Sequence, residues 1–290
     1  MDKELQNKIN APEFLAISGS RLYGSNRKDS DYDYRGFIIP PIDYIVGIKT
    51  FTDRMVGNDD HKVYSFKRFL ELLTLADPQI TELLFIPKDK IIHTSSIAEK
   101  ILKNKDLFLS NIIYKRLVGF SNSEWRKAMA VKLVFDKLPK TEADLRLELI
   151  NYATERGMPK EDKDDMLYYF DSVRGKQLVK STNNLGAKRK SDYNKYGFCV
   201  SSASHAIRLL EELDELMLTG NITFPRPNAT FLRDIKLGKI SKDECEEAYN
   251  EILNKIEISK VKSILPNKPN KEEIDYIYKS VILEYLKNNL

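Results

Sequence analysis

The chain has 290 residues, with 47 basic against 43 acidic side chains and a formal net charge of +4. It is therefore no strong polyelectrolyte, and affinity for nucleic acid would have to reside in a local patch. No run approaches the ~20 consecutive apolar residues that cross a bilayer, so a membrane partner is not expected. The opening MDKELQNKINAPEF is charged throughout and lacks the apolar stretch of a secretory signal. Cys199 and Cys245 form no spaced metal motif, and two isolated thiols fit a reducing compartment, so a cytoplasmic location is expected.

In chain order, Glu13 to Ser18 (EFLAIS) reads as a buried strand stopped by Gly19. Asp31 to Pro40 alternates and then turns continuously apolar, a second strand ended by Pro40-Pro41. Tyr44 to Ile48 (YIVGI) and His61 to Ser65 (HKVYS) are further strand candidates. FKRFLELLTL, from Phe66 to Leu75, has helical apolar spacing; Asp77-Pro78 breaks it, and ITELLF opens another helical turn. Beyond Pro87 strand signals fade. Helices are predicted over Ile97 to Leu102, Ser110 to Asp136, Glu142 to Arg156, Lys163 to Val173, Ser201 to Leu218, Lys242 to Lys255 and Lys271 to Asn288. The expected fold class is α+β, with a small α/β domain over residues 1–90 built on a mixed sheet. A mostly helical domain over residues 91–290 follows, with acceptor binding as its expected role. Arg174 to Lys195, with seven basic residues and one acidic, reads as a solvated loop, phosphate contact being the sharper alternative.

Chemistry concentrates in Gly19-Ser20-Arg21-Leu22-Tyr23-Gly24, followed by Ser30-Asp31-Tyr32-Asp33-Tyr34-Arg35-Gly36. A strand ending in Gly-Ser before a tight helical turn presents free backbone N–H groups, the glycine lets a phosphate come close, and the serine adds a donor. Strand alternation puts Asp31 and Asp33 on one face and Tyr32 and Tyr34 on the other. Two adjacent carboxylates repel unless a cation lies between them, and such hard oxygen ligands suit Mg²⁺ or Mn²⁺. The combination describes in-line attack on the α-phosphorus of an NTP with release of pyrophosphate. A third carboxylate is expected from a neighbouring strand: Asp60, just ahead of HKVYS, with Asp59 as its competitor. A lone Asp-x-Asp carries little, but here it stands ten residues after Gly-Ser and both elements abut apolar strands.

These residues resemble the DNA polymerase β-like nucleotidyltransferases, and more narrowly the RlaP-like, RNA-repair-associated branch. Asp60 to Leu70 is similar to that branch's Asp-containing strand and following helix. Asp77-Pro78-Gln79-Ile80-Thr81-Glu82-Leu83-Leu84 is similar to its Asn-Pro-x-x-x-Glu-Leu-Leu segment, and His205-Ala206-Ile207-Arg208 to its distal His-x-x-Arg helix. The resemblance implies Asp31, Asp33 and Asp60 as catalytic metal ligands. It implies Gly19, Ser20, Arg21, Ser30, Arg35, His205 and Arg208 as nucleotide-binding residues. One departure stands out: a Tyr-Asp-x-Lys run is expected just before the distal helix, but the chain reads Phe198-Cys199-Val200-Ser201, with Lys195 the nearest lysine.

Several residues keep two readings. Ser201, Ser204, His205 and Arg208 share one helical face, which could reach nucleotide and phosphate or could serve packing. Arg35, on the carboxylate face, could reach a phosphate or pair with an aspartate. Glu82 reads as a structural acid at a helix start. Trp125-Arg126 could stack a base, or Trp125 could be core. The expected function is transfer of a nucleoside monophosphate from an NTP to an acceptor hydroxyl, an RNA (tRNA) end. The alternatives are nucleotidylation of a protein hydroxyl or small molecule by the same site, or an idle RNA-binding module.

Overall fold

A computed structural model describes residues 3–51, 54–55, 61–129, 141–171 and 187–289. Helix α1 (Lys3–Asn10) leads into strand β1 (Phe14–Ser18), the short helix α2 (Gly19–Tyr23) and strand β2 (Asp33–Ile38). Strands β3 (Arg54–Met55) and β4 (His61–Ser65) precede helices α3 (Phe66–Thr74) and α4 (Pro78–Thr81), then strand β5 (Ile91–Thr94) and helix α5 (Ser96–Lys103). The five strands form one mixed sheet in the order β3-β4-β2-β1-β5. β2 runs antiparallel to β1 and parallel to β4.

The sheet owes its burial to period-two patterning. In β1, Phe14, Ala16 and Ser18 are buried on one face. On the other, Leu15 packs with Ile38 and Val63 beneath Leu5 and Ile9, which stand one turn apart on α1. α3 is capped by Ser65, whose hydroxyl accepts from the Arg68 amide. Its buried Phe66, Phe69, Leu70 and Leu73 recur at helical spacing. Phe37 of β2 lies 5.3 Å from Phe66 and 4.6 Å from Phe69, ring centre to ring centre. Truncating a ring so enclosed, as in Phe37→Ala, costs about 3–5 kcal/mol. Asp77 caps α4 through the Ile80 amide, with Pro78 preset at the helix start, and Glu82–Phe85 continue as a 3₁₀ turn.

The remaining helices are α6 (Ile112–Met129), α7 (Glu142–Glu155), α8 (Lys160–Tyr169), α9 (Ala187–Tyr196), α10 (Val200–Thr219), α11 (Ala229–Lys236), α12 (Lys242–Val261) and α13 (Lys271–Asn289). The chain divides into two compact units. The first holds Met1–Gly119, Arg208–Arg233 and Glu251–Leu290, and so contains the sheet; β5 lies past residue 90. The second holds Phe120–Ile207 and Asp234–Asn250. Within it Ser121 donates to the Ala206 carbonyl (2.8 Å), the Cys199 amide donates to the Ala128 carbonyl (3.0 Å), and Trp125 stacks on Tyr249 at 4.0 Å.

The α+β class, the mixed sheet and the helical remainder agree with the sequence expectation. Tyr44 to Ile48 is not a strand, however. After Pro41 the chain makes a 3₁₀ turn over Ile42–Tyr44, and Val46 and Ile48 are exposed, with no strand pairing to this stretch among the described residues. Part of the expected loop between Arg174 and Lys195 is helix α9, held by buried Tyr193, which donates to the Lys127 carbonyl; residues 172–186 lie outside the described residues. α1, β3, β5 and α11 carry no sequence expectation. β5 is largely exposed, so it lacks the alternation that marks a half-buried strand.

Candidate active site

Antiparallel pairing sets Ser18, the last residue of β1, opposite Asp33, the first of β2. The chain between them makes α2 and returns through a loop. Gly24 ends α2 in the left-handed region (φ 72°), its amide donating to the Ser20 carbonyl. A Cβ on Gly24 would fall 2.8 Å from Pro225, so the helix end is pressed against the 225–229 segment, and the Arg226 amide donates to the Tyr23 carbonyl. At the other end of α2, Gly19 has φ 64°, and a Cβ there would fall 1.8 Å from Asp33 Oδ2. The Asp33 carboxylate is thus seated directly over the Gly-Ser turn, where the first amides of a helix lack acceptors of their own.

β2 begins at Asp33, so Asp31 lies ahead of the strand in the loop, with its side chain exposed. Strand alternation therefore does not fix the pair, contrary to the sequence expectation. Backbone contacts hold the loop instead. Arg21 Nη2 donates to the Ser30 carbonyl (2.6 Å), its Nε donates to the Asp31 carbonyl (3.2 Å), and its guanidinium lies 3.8 Å over the Tyr32 ring. Ser30 Oγ accepts from the Arg27 amide at 2.8 Å. Tyr32, Tyr34 and His61 continue the ring series, Tyr32–Tyr34 at 6.2 Å and Tyr34–His61 at 5.4 Å. Burial lowers the His61 pKa, which keeps the imidazole neutral at neutral pH.

Arg35 Nη1 donates to Ser18 Oγ (2.8 Å), and its buried Nε has no hydrogen-bond partner among the described residues. Burial raises the Asp77 pKa, offset in part by its hydrogen bonds to backbone amides and by the charge of Arg35. Asp31 and Asp33 supply hard oxygen donors of the kind Mg²⁺ or Mn²⁺ accepts, and the lack of a side chain on Gly19 leaves the space in which the Asp33 carboxylate sits. No group of three or more metal-ligating side chains occurs among the described residues. Asp59 and Asp60 lie outside them; the next residue, His61, pairs with Tyr34, the residue after Asp33.

Arg208 stands in a different environment. It is 4% exposed, and its Nη1 donates to Glu82 Oε1 (2.7 Å) and Glu212 Oε1 (2.6 Å). Its guanidinium covers the Tyr23 ring at 3.7 Å, while the Tyr23 hydroxyl donates to Glu82 Oε2 at 2.6 Å. Burial works against the arginine's charge, but Glu212, Tyr23 and Glu82 outweigh it and hold its pKa well above the usual range. Burial likewise pushes the Tyr23 hydroxyl up. With both carboxylates bonded to it, Arg208 fastens the C-terminal end of α2, and the nucleotide contact expected for it has no exposed face to use. Tyr23 is the partner the sequence did not single out, since its role depends on residues 59 and more positions away.

His205 and Ser201 are half-buried in the second unit and Ser204 is buried there; Arg208, one turn on along the same helix, belongs to the first. Lys195 is exposed, its ammonium 4.9 Å from the Tyr196 ring. One face of Trp125 is taken by Tyr249.

Residues 5–157 match the family described as RlaP: RNA repair pathway DNA polymerase beta family. A full-length relative, an uncharacterized 38.9 kDa protein in the nrdC-mobD intergenic region of Enterobacteria phage T4, is 22% identical over 324 aligned positions, covering 93% of this chain and 96% of the relative. No solved structure matches.

Proposed function

The chain belongs to the RlaP family of RNA repair pathway DNA polymerase beta proteins, and from that premise we propose that it transfers a nucleoside monophosphate from an NTP to an acceptor hydroxyl, with an RNA end such as that of a tRNA as the acceptor. The observation that carries the reading is the Asp33 carboxylate seated over Gly19, beside the first turn of α2. A phosphate approaching the Gly19-Ser20 amides would meet that carboxylate at once, an arrangement that repels the substrate unless a cation joins them.

Asp31 and Asp33 would hold this Mg²⁺ or Mn²⁺, which when bound neutralises the triphosphate and favours departure of pyrophosphate. Gly19 and Ser20 would seat the phosphates, and Arg35, with a buried Nε that has no hydrogen-bond partner among the described residues, stands on the Asp33 face. Asp60 is our candidate for the third carboxylate, taking the proton of the acceptor hydroxyl. The new bond joins the acceptor oxygen to the α-phosphorus as the bond to the β-phosphate oxygen breaks. The acceptor would dock on the helical part of the chain. No helix among the described residues is long and apolar enough to cross a membrane, and we place the protein in the cytoplasm.

The test is transfer of label from α-labelled NTPs with Mg²⁺ to RNA, comparing wild type with Asp31→Ala and Asp33→Ala. Labelling of RNA that both variants abolish is the expected result. Label found only on a protein would move the acceptor to a protein hydroxyl. RNA binding without pyrophosphate release under any metal or nucleotide would refute the enzyme.

A further inference from the structure

Asp31 would serve as a metal ligand from a loop, and loops do not hold side chains to a fraction of an ångström unless something holds the loop. The described contacts of the 25–32 segment show what does. Its own turn is local: the Ser30 amide donates to the Arg27 carbonyl (3.2 Å), and the Arg27 amide returns to Ser30 Oγ (2.8 Å). A side chain of the Gly-Ser helix ties this segment down: the fork of Arg21 takes two consecutive backbone carbonyls, those of Ser30 and Asp31 itself. The flat face of the same guanidinium lies 3.8 Å over Tyr32, the residue between the two aspartates. One side chain of α2 thus touches three successive residues, 30, 31 and 32. A planar fork with fixed donor directions does this, and a lysine, a point charge on a flexible stem, cannot.

We infer that Arg21 is a positioning residue that sets the Asp31 carboxylate for metal, and not a contact to the nucleotide. The inference rests on the reading of Asp31 and Asp33 as metal ligands. It predicts that Arg21 governs metal affinity in the absence of any nucleotide. Groups that orient metal ligands typically change affinity by about 10- to 100-fold when removed.

The experiment is titration of the full-length protein with Mn²⁺ alone, free ion being read by electron paramagnetic resonance, for wild type, Arg21→Lys, Arg21→Gln and Asp33→Ala. Thermal melts of each variant report whether the fold survives. Both Arg21 variants are expected to melt as cooperatively as wild type and to bind Mn²⁺ about tenfold or more weakly, the lysine failing to rescue despite its charge. In turnover the same variants should need more metal, with the KM for NTP unchanged at saturating metal. Mn²⁺ binding equal to wild type in Arg21→Gln, together with a raised KM for NTP that Arg21→Lys restores, would overturn the inference and make Arg21 a phosphate contact. If an Arg21 variant fails to fold, Tyr32→Leu, which removes the ring under the guanidinium but no charge, must weaken Mn²⁺ binding or the inference fails. If Asp33→Ala binds Mn²⁺ as wild type does, the metal-site reading itself falls. Loss of binding in Asp33→Ala with none in Arg21→Gln defeats the positioning role alone.

Discussion

The carboxylate of Asp33 occupies the place that a side chain at position 19 would take, for a Cβ on Gly19 would lie 1.8 Å from Asp33 Oδ2 and 2.7 Å from its Cγ. Glycine also supplies the left-handed φ of 64° at this position, which costs any other residue about 1–2 kcal/mol. Gly19→Ala therefore has two effects that can be measured apart. Melting should register a modest loss of stability. Transfer should fall much further, by about 100-fold, because a carboxylate displaced by about an ångström no longer meets the reacting groups. A variant that melts lower yet transfers at the wild-type rate would show that Asp33 need not stand where it does.

Arg208 offers the opposite balance. Arg208→Met leaves Glu82 and Glu212 buried without their cation, and breaking such a pair costs about 3–5 kcal/mol. Denaturant titration should show that loss, whereas the triple variant Arg208→Met, Glu82→Gln, Glu212→Gln should recover part of it. NTP affinity of whatever folds is expected to stay near wild type. Nucleotide binding that drops sharply in a stably folded Arg208→Lys would contradict the packing role.

The same cluster sets a pH dependence. Burial raises the Glu211 pKa from 4.5 to about 7, even with Arg226, Asn228, Arg208 and Lys255 pulling it down, and burial raises that of Glu212 as well. Glu211 Oε2 is buried with no hydrogen-bond partner among the described residues. A carboxyl whose pKa is higher folded than unfolded keeps a proton that the unfolded chain has released. Its contribution is complete below pH 4.5 and is lost as the pH climbs to about 7. Glu211→Gln should flatten that part of the stability–pH curve and raise stability at pH 8 by on the order of 3 kcal/mol. A curve unchanged from wild type would show that Glu211 titrates normally.

Both thiols should be inert in the folded chain. Burial raises the Cys199 pKa and lifts that of Cys245 to about 12, so little thiolate exists at neutral pH. Alkylation with iodoacetamide at pH 7.5 should be slow natively and fast in urea; fast native labelling would refute the burial of Cys199 and Cys245.

How far the sequence could be read follows from how local each determinant is. β1, β2, β4 and α3 show their periodicity in consecutive side chains, and Gly-Ser with Asp-x-Asp lies within fifteen residues, Gly19 to Asp33. YIVGI misled because apolarity alone cannot say whether a strand will find a partner, and Val46 and Ile48 stay exposed. α9 was hidden because its anchors are single residues, Asp192 and Tyr193, inside a basic run. Arg208 was ambiguous for a deeper reason: a His-x-x-Arg helix reads the same whether its arginine faces a phosphate or a pair of carboxylates. Glu82 stands 126 residues from Arg208, and nothing in either segment names the other.

That separation also bears on how the protein is made. The Gly-Ser turn and its carboxylates are synthesised together, with Glu82 soon after, but when Glu82 is added the arginine that fastens Tyr23 is still 126 codons from being translated. At roughly 5–20 residues per second that is on the order of 6–25 seconds. Through that interval the nascent chain holds Glu82 and the Tyr23 hydroxyl that donates to it, with no cation to close over them; Glu212, the second acid of the cluster, follows Arg208 in the chain. The Gly-Ser turn is therefore among the first parts of the protein to be synthesised and among the last to be secured.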